Sequence, residues 1–312
     1  MLCFNKTKKI RDHFALPIDL VVSLQPICFK HLLNMHIFAR FCFLAPILLS
    51  LLISCSTSKE KESILEMCDV KGHVASFLDT VWVADVFQGK ERLLSMEGTS
   101  ERRFDEDGNL ILQSDYDQQG HLIWKGSWRF FKGMMVDFKS YDQNGEIQSV
   151  TNYVNDKELL REEITQFFGK EATIENRRTV YSYTNGRLDS TVSTLGTQKR
   201  KSSFRYIDSN NSYEETITGY DGATSSVTVW MDSNKRLVRR ADGGDTLKID
   251  YDKMNNIVKS KSSEVTFTYE YVFDEYHNWI KQKQYRSEEN GNPVLAYIVT
   301  RRIVYRDNNP QP

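Results

Sequence analysis

Beyond residue 54 the side chains able to do nucleophilic, acid–base or metal chemistry are few. Three histidines remain, His73, His121 and His277, and two cysteines, Cys55 and Cys68. No His pair stands at metal-ligand spacing, and neither HExxH nor GxSxG occurs. Carboxylates are plentiful but regularly placed, as in FDEDGN (104–109) and YDQQGH (116–121). Regular placement fits turn chemistry better than an acid–base pair. The Asp-rich turns lack the ligand density of a calcium loop. Gly243 and Gly244 lie in ADGGD without the strand-and-helix context of a phosphate loop, and read as a turn. These residues predict no catalytic group, no metal site, no cofactor and no enzyme activity.

Two other features point to binding. Trp124, Trp128, Phe130 and Phe131 fall within eight residues, either as packing on a sheet face or as an aromatic platform for a sugar or a protein. Basic doublets occur at Arg177-Arg178, Arg239-Arg240 and Arg301-Arg302, with Lys199-Arg200-Lys201 between them. They read as edge protection or a solvated face, with an anionic glycan or lipid headgroup as the sharper alternative.

The elements that position these residues follow from a repeated phrase. An aromatic residue is followed by Asp, two residues, Gly, one residue and an aliphatic. Phe104/Gly108/Leu110, Tyr116/Gly120/Leu122 and Tyr141/Gly145/Ile147 carry it in full. Trp128/Met134, Tyr153/Leu159, Tyr251/Ile257 and Phe273/Trp279 carry variants, and Tyr183/Leu188 is one residue shorter. From Phe104 to Tyr153 the starts are 12 or 13 residues apart, the mark of a repeat architecture. Asp opens a type I turn by bonding its own backbone further on, and Gly or Asn accepts positive φ near the turn's end. Asp105, Gly108, Asp117, Gly120, Asp142 and Gly145 are therefore turn residues. The flanking aromatic and aliphatic meet as a cross-strand pair, so each unit is one strand and one turn of an antiparallel meander. In 266–273 Phe267, Tyr269, Tyr271 and Phe273 share a face; in 294–305 both faces are apolar until Arg301, which predicts a strand covered on two sides. Residues 156–169 carry two readings: a strand in the repeat register, or a short helix over 156–168 capped by Asp156 and ended by Gly169.

The front of the chain carries an address. Arg40 precedes an apolar run from Phe41 to Ile53, short for a membrane span and right for a signal-peptide core. Leu52-Ile53-Ser54-Cys55 resembles the lipobox of bacterial lipoproteins, and the polar stretch STSKEKES follows at once. By that resemblance Cys55 is lipidated and becomes the mature N-terminus. Met35 begins a complete signal peptide of its own, so the true start is expected there. Residues 1–54 are then leader, 55–68 a lipidated tether and 69–308 the repeat domain. Removing the leader leaves 35 basic and 40 acidic residues, a net charge of −5, with no bulk reason to bind nucleic acid. Cys68 is then left without an intrachain disulfide partner.

The repeated phrase resembles YD-type (RHS-like) repeats, in which Tyr-Asp, two residues, Gly and an aliphatic recur in β-hairpins. With the lipobox and the opening Lys71-Gly72-His73-Val74-Ala75-Ser76 after Asp69, the chain resembles outer-membrane lipoproteins of gut-type Gram-negative bacteria. The resemblance implies an all-β fold, an antiparallel meander of hairpins forming a curved or solenoid-like sheet. It also implies an outer-membrane location through the lipid on Cys55, periplasmic or surface-exposed. It carries over no catalytic residue. The expected function is a non-enzymatic interaction or envelope structural module partnered by an envelope protein; the alternative is an accessory glycan-binding surface lipoprotein.

Overall fold

The computed structural model describes residues 70–157, 159–168, 174–288 and 291–306, without the side chains of 174 and 175. The leader, the tether, Cys55 and Cys68 lie outside the described residues. Within them are eighteen strands: β1 Val74–Phe87, β2 Lys90–Phe104, β3 Leu110–Asp117, β4 Leu122–Phe131, β5 Met134–Tyr141, β6 Ile147–Asp156, β7 Leu159–Phe168, β8 Ile174–Thr184, β9 Arg187–Leu195, β10 Gln198–Ile207, β11 Ser212–Thr218, β12 Thr224–Met231, β13 Leu237–Asp242, β14 Asp245–Tyr251, β15 Ile257–Lys261, β16 Val265–Phe273, β17 Trp279–Glu288 and β18 Val294–Tyr305. Each pairs antiparallel with its neighbour in sequence, as the meander predicts.

The sheet is neither open nor solenoid-like, which corrects that expectation. β1 pairs with β2 on one side and with β18 on the other, from Val74 opposite Tyr305 to Val83 opposite Tyr297, so the meander closes into an 18-stranded barrel. Twist accumulating over so many strands curls a sheet on itself, and joining the first strand to the last removes both edges. The helix over 156–168 is corrected as well. Leu159–Phe168 is a strand whose Thr165 faces Thr151 of β6 and Arg177 of β8. Two ladders satisfy its backbone, and this outweighs the helical spacing of its apolar residues. Among the described residues the helical element is a single 3-10 turn, Asp208–Asn210.

The repeated phrase makes one recurring turn. In six hairpins an Asp Oδ1 accepts hydrogen bonds from the backbone N–H groups two and four residues on. At Asp105 these bonds are 3.0 and 2.8 Å long, and at Asp252 both are 2.8 Å. The residue three after the Asp takes positive φ: Gly108, Gly120 and Gly145 at 78°, 82° and 79°, and Lys235, Asn255 and His277 at 61°, 73° and 62°. The aromatic before the turn pairs with the aliphatic after it at a bulge, as in Phe104–Leu110, Tyr116–Leu122, Tyr141–Ile147 and Tyr251–Ile257. Two units depart from the expected pairing. Trp128 faces Phe138, because β4 turns later, at Lys132-Gly133; Tyr153 faces Glu163, because β6 runs on to Asp156.

Paired residues share a face, so the registers sort the barrel into two surfaces. Phe77, Asp79, Gln113, Asp115, Thr151, Thr165, Ser202, Val229, Ser260, Phe267 and Arg301 are buried and fall on one of them. Closure crowds side chains on the concave side, so this surface is the interior. The opposite surface carries Glu101, Lys125, Lys199, Lys201, Lys248, Lys259, Lys261 and Lys283. Beyond Val83 the β1–β2 hairpin leaves β18: Ala84 packs on Leu295 and Ile298 beside Tyr285, and Glu91 meets Lys281 and Lys283, each at 2.6 Å. The hairpin thus lies over the outer face of β17 and β18, and β18 is covered on both sides as its sequence predicts. The chain enters the barrel at a fastened corner, where Asn278, 1% exposed, bonds the backbone N–H and C=O of Lys71 and the Tyr305 hydroxyl.

Candidate functional site

Two cross-strand rows run along the interior from β18 to β4. Register aligns Arg301, Asp79, Ser100, Asp115 and Trp124 on five successive strands. The next row aligns Phe77, Arg102, Gln113, Gly126, Ser140 and Ser149 from β1 to β6. One end of this surface is ionic and the other aromatic.

At the ionic end Arg301 grips Asp79 with two parallel hydrogen bonds of 2.7 and 2.8 Å. The guanidinium carbon lies 3.6 Å from the Trp279 ring centre and 4.0 Å from that of Phe77. Such stacking suits the planar, weakly hydrated Arg head. Arg102 reaches Asp79 at 3.4 Å and the Gln113 carbonyl at 3.3 Å, and Gln113 donates to both Asp115 oxygens at 3.1 Å. Burial pushes the Asp115 carboxyl above its ordinary range, against the opposing pull of Arg102 and Gln113. Both oxygens of each carboxylate are engaged, so they act as parts of a hydrogen-bonded belt. Arg301 Nη1 is buried and has no hydrogen-bond partner among the described residues.

At the aromatic end Trp124, Trp128 and Phe138 cluster, with ring centres 5.0 to 6.3 Å apart. Gly126 makes this possible. A Cβ there would lie 2.5 Å from Trp124 Cη2 and 2.9 Å from Phe138 Cε2, so the indole lies across bare backbone. Trp124 and Trp128 are half-buried on the concave surface.

Of the four aromatics singled out in the sequence, Trp124 and Trp128 come together; Phe130 lies two residues further along the same face of β4, opposite Met135, and Phe131 sits 60% exposed beside the β4–β5 turn under Lys132. The basic doublets are also reassigned. A closed barrel has no edge to protect, and strand alternation sends one member of each doublet inward. Arg177, Arg240 and Arg301 face the interior, as does Arg200 of the triplet; Arg178, Arg239 and Arg302 face out. Further round, Glu163 and Glu215 also line the interior, and burial raises the pKa of both. The belt was missed in the sequence because its members lie 222 positions apart at the Asp79–Arg301 contact. Two clues were available: doublets inside alternating strands, and a Gly between two Trp.

His121 and His277 sit exposed in turns, His121 Nδ1 3.2 Å from Asp117, and His73 is exposed where the chain enters. Among the described residues no group of three or more His, Cys, Asp or Glu side chains is placed to hold a metal.

No protein-family model matches the chain, and no curated protein does. The solved structures that resemble it include two porin-like proteins. One is a porin-like protein from Bacteroides uniformis, 13% identical over 74% of this chain and 96% of that one, with a TM-score of 0.38. The other is a porin-like protein from Bacteroides vulgatus, 12% identical over 76% of this chain and all of that one, with a TM-score of 0.34.

Proposed function

We propose that this chain is an exported lipoprotein whose closed barrel stands on the outer membrane without crossing it and acts there as a non-enzymatic interaction or structural module. The observation that carries this reading is that neither surface of the barrel is apolar. The outer surface holds Lys248 opposite Lys261 and Glu270 opposite Lys283; the inner one holds Asp79, Arg177, Glu215 and Arg301. A lipid-facing band tolerates no such charges, whichever surface is turned outward. Strands β13 to β15 have 6, 7 and 5 residues, against the ~9–11 that a membrane-crossing strand needs. Attachment then falls to the lipid on Cys55, whose acyl chains need no help from the folded domain. The half-buried Trp124 and Trp128 on a concave face favour a second reading within the same class, an accessory glycan-binding lipoprotein.

Membrane fractionation of cells producing the wild type and Cys55→Ser tests the anchoring. The wild type is expected with outer membranes and released only by detergent, and Cys55→Ser in the soluble fraction. Cys55→Ser that resists alkaline extraction after its signal peptide has been removed would mean that the barrel itself is inserted, and would overturn the reading.

A further inference from the structure

We propose that the interior from β18 to β4 is a binding site for an acidic oligosaccharide, with a sugar ring stacked on Trp124 and Trp128 and a carboxylate set against Arg301 Nη1. The inference rests on the interaction-module reading above and names its ligand.

Three observations carry it. First, the Trp124 ring is laid across Gly126 with Phe138 and Trp128 around it. A rigid indole on the concave surface offers aromatic surface of the kind the apolar C–H face of a pyranose packs against. Second, Arg301 Nη1 is a buried guanidinium donor without a hydrogen-bond partner among the described residues, beside a guanidinium edge already held by Asp79. A buried donor left unmade is costly, so an acceptor oxygen on a ligand is favoured there. Third, Arg102 stands between the two ends, its guanidinium 3.4 Å from Asp79 and 3.3 Å from the Gln113 carbonyl, a second cationic donor along the path of an anionic ligand.

The spacing sets the ligand's size. Trp124 and Arg301 are four strands apart in one row, roughly 19 Å at the usual interstrand distance. A single sugar cannot touch both, whereas an oligosaccharide lying across the strands can. Between the ends it meets Gln113 and Ser100, groups suited to hydroxyls.

The full-length, lipid-bearing protein in nonionic detergent is titrated calorimetrically with oligogalacturonides and with neutral cello-oligosaccharides of the same length. Saturable binding of the acidic series is expected, about tenfold tighter than the neutral one, the effect of one charge-assisted hydrogen bond. Trp124→Ala should weaken both series about tenfold. Gly126→Ala, which keeps the indole but lifts it from the strand, should act in the same direction. The double variant Asp79→Asn/Arg301→Gln removes Arg301 Nη1 without stranding the Asp79 carboxylate; it should reduce the preference for the acidic series and keep the residual stacking. Trp230→Ala, on the outer face under Arg239, should leave the affinity unaltered. No saturation with either series, equal affinity for both, or wild-type affinity in folded Trp124→Ala overturns the proposal. The titration does not depend on where the protein sits, so a failure of the Cys55 experiment and a failure of this one are read separately.

Discussion

Arg301 and Arg302 are the same residue type one position apart, and they do opposite things. Arg302 faces solvent opposite Leu78; Arg301 is 9% exposed, paired to Asp79 and stacked on two rings. The difference is the two-residue period of a strand, not the chemistry of the side chain. Burying an ion pair gains little, because desolvation cancels much of the attraction, but breaking one strands a charge. Arg301→Ala should therefore cost about 3–5 kcal/mol in denaturant unfolding. Asp79→Asn/Arg301→Gln, which removes both charges together at some loss of side-chain volume, should recover part of that loss. A double variant no more stable than the single one would mean that Arg301 acts through its stacking on Phe77 and Trp279.

At the scale of the element, most of the fold was legible. The phrase Asp, two residues, Gly predicts a turn because its Asp bonds two backbone N–H groups and its Gly takes positive φ, and the structure repeats that geometry at Asp105, Asp117 and Asp142. The same turn at Asp232 escaped notice, since Met231 stands where the aromatic should be and Lys235 where Gly should be. The pairing of Met231 with Leu237 kept the spacing visible all the same. At 156–168 the local pattern fitted helix and strand alike, and ladders on both sides decide for strand. These substitutions have a cost. Lys235 at φ 61° holds a conformation that L-residues disfavour by about 1–2 kcal/mol, partly offset by the chain entropy that Gly loses on folding. Lys235→Gly should raise stability by up to about 1 kcal/mol, read as a shift in the urea midpoint with unchanged slope. Gly120→Lys, the reverse change in an otherwise equivalent turn, should lower it by a similar amount.

At the scale of the molecule, closure was not legible. The phrase specifies how each strand meets the next one and is silent on where the last strand ends. The join between β1 and β18 is set by strand count, twist and the accumulated bulges at the turns, none of which a local pattern encodes. The join also brings Arg301 to Asp79, so the ionic end of the proposed site exists only in the closed form. Thr80 and Thr300 give a direct measure of it. They face each other on the outer surface across the β1–β18 seam, 220 positions apart in sequence. Directly opposed residues in an antiparallel pair have Cα atoms about 4.5–5.5 Å apart, within the range a disulfide spans. Thr80→Cys/Thr300→Cys, with Cys68 replaced by Ser, should therefore form an intramolecular disulfide under mild oxidation. It would be seen as faster migration on a non-reducing gel and as a linked peptide pair by mass spectrometry. The bond should add up to about 5 kcal/mol by restricting so long a loop in the unfolded chain. In an open or solenoid-like sheet the two positions would lie at opposite edges. Such a sheet would give free thiols or cross-linked dimers, and ligand affinity would be indifferent to reduction. Closure makes the opposite demand: oxidation should leave the Arg301–Asp79 end intact and hold it there at urea concentrations that unfold the reduced protein.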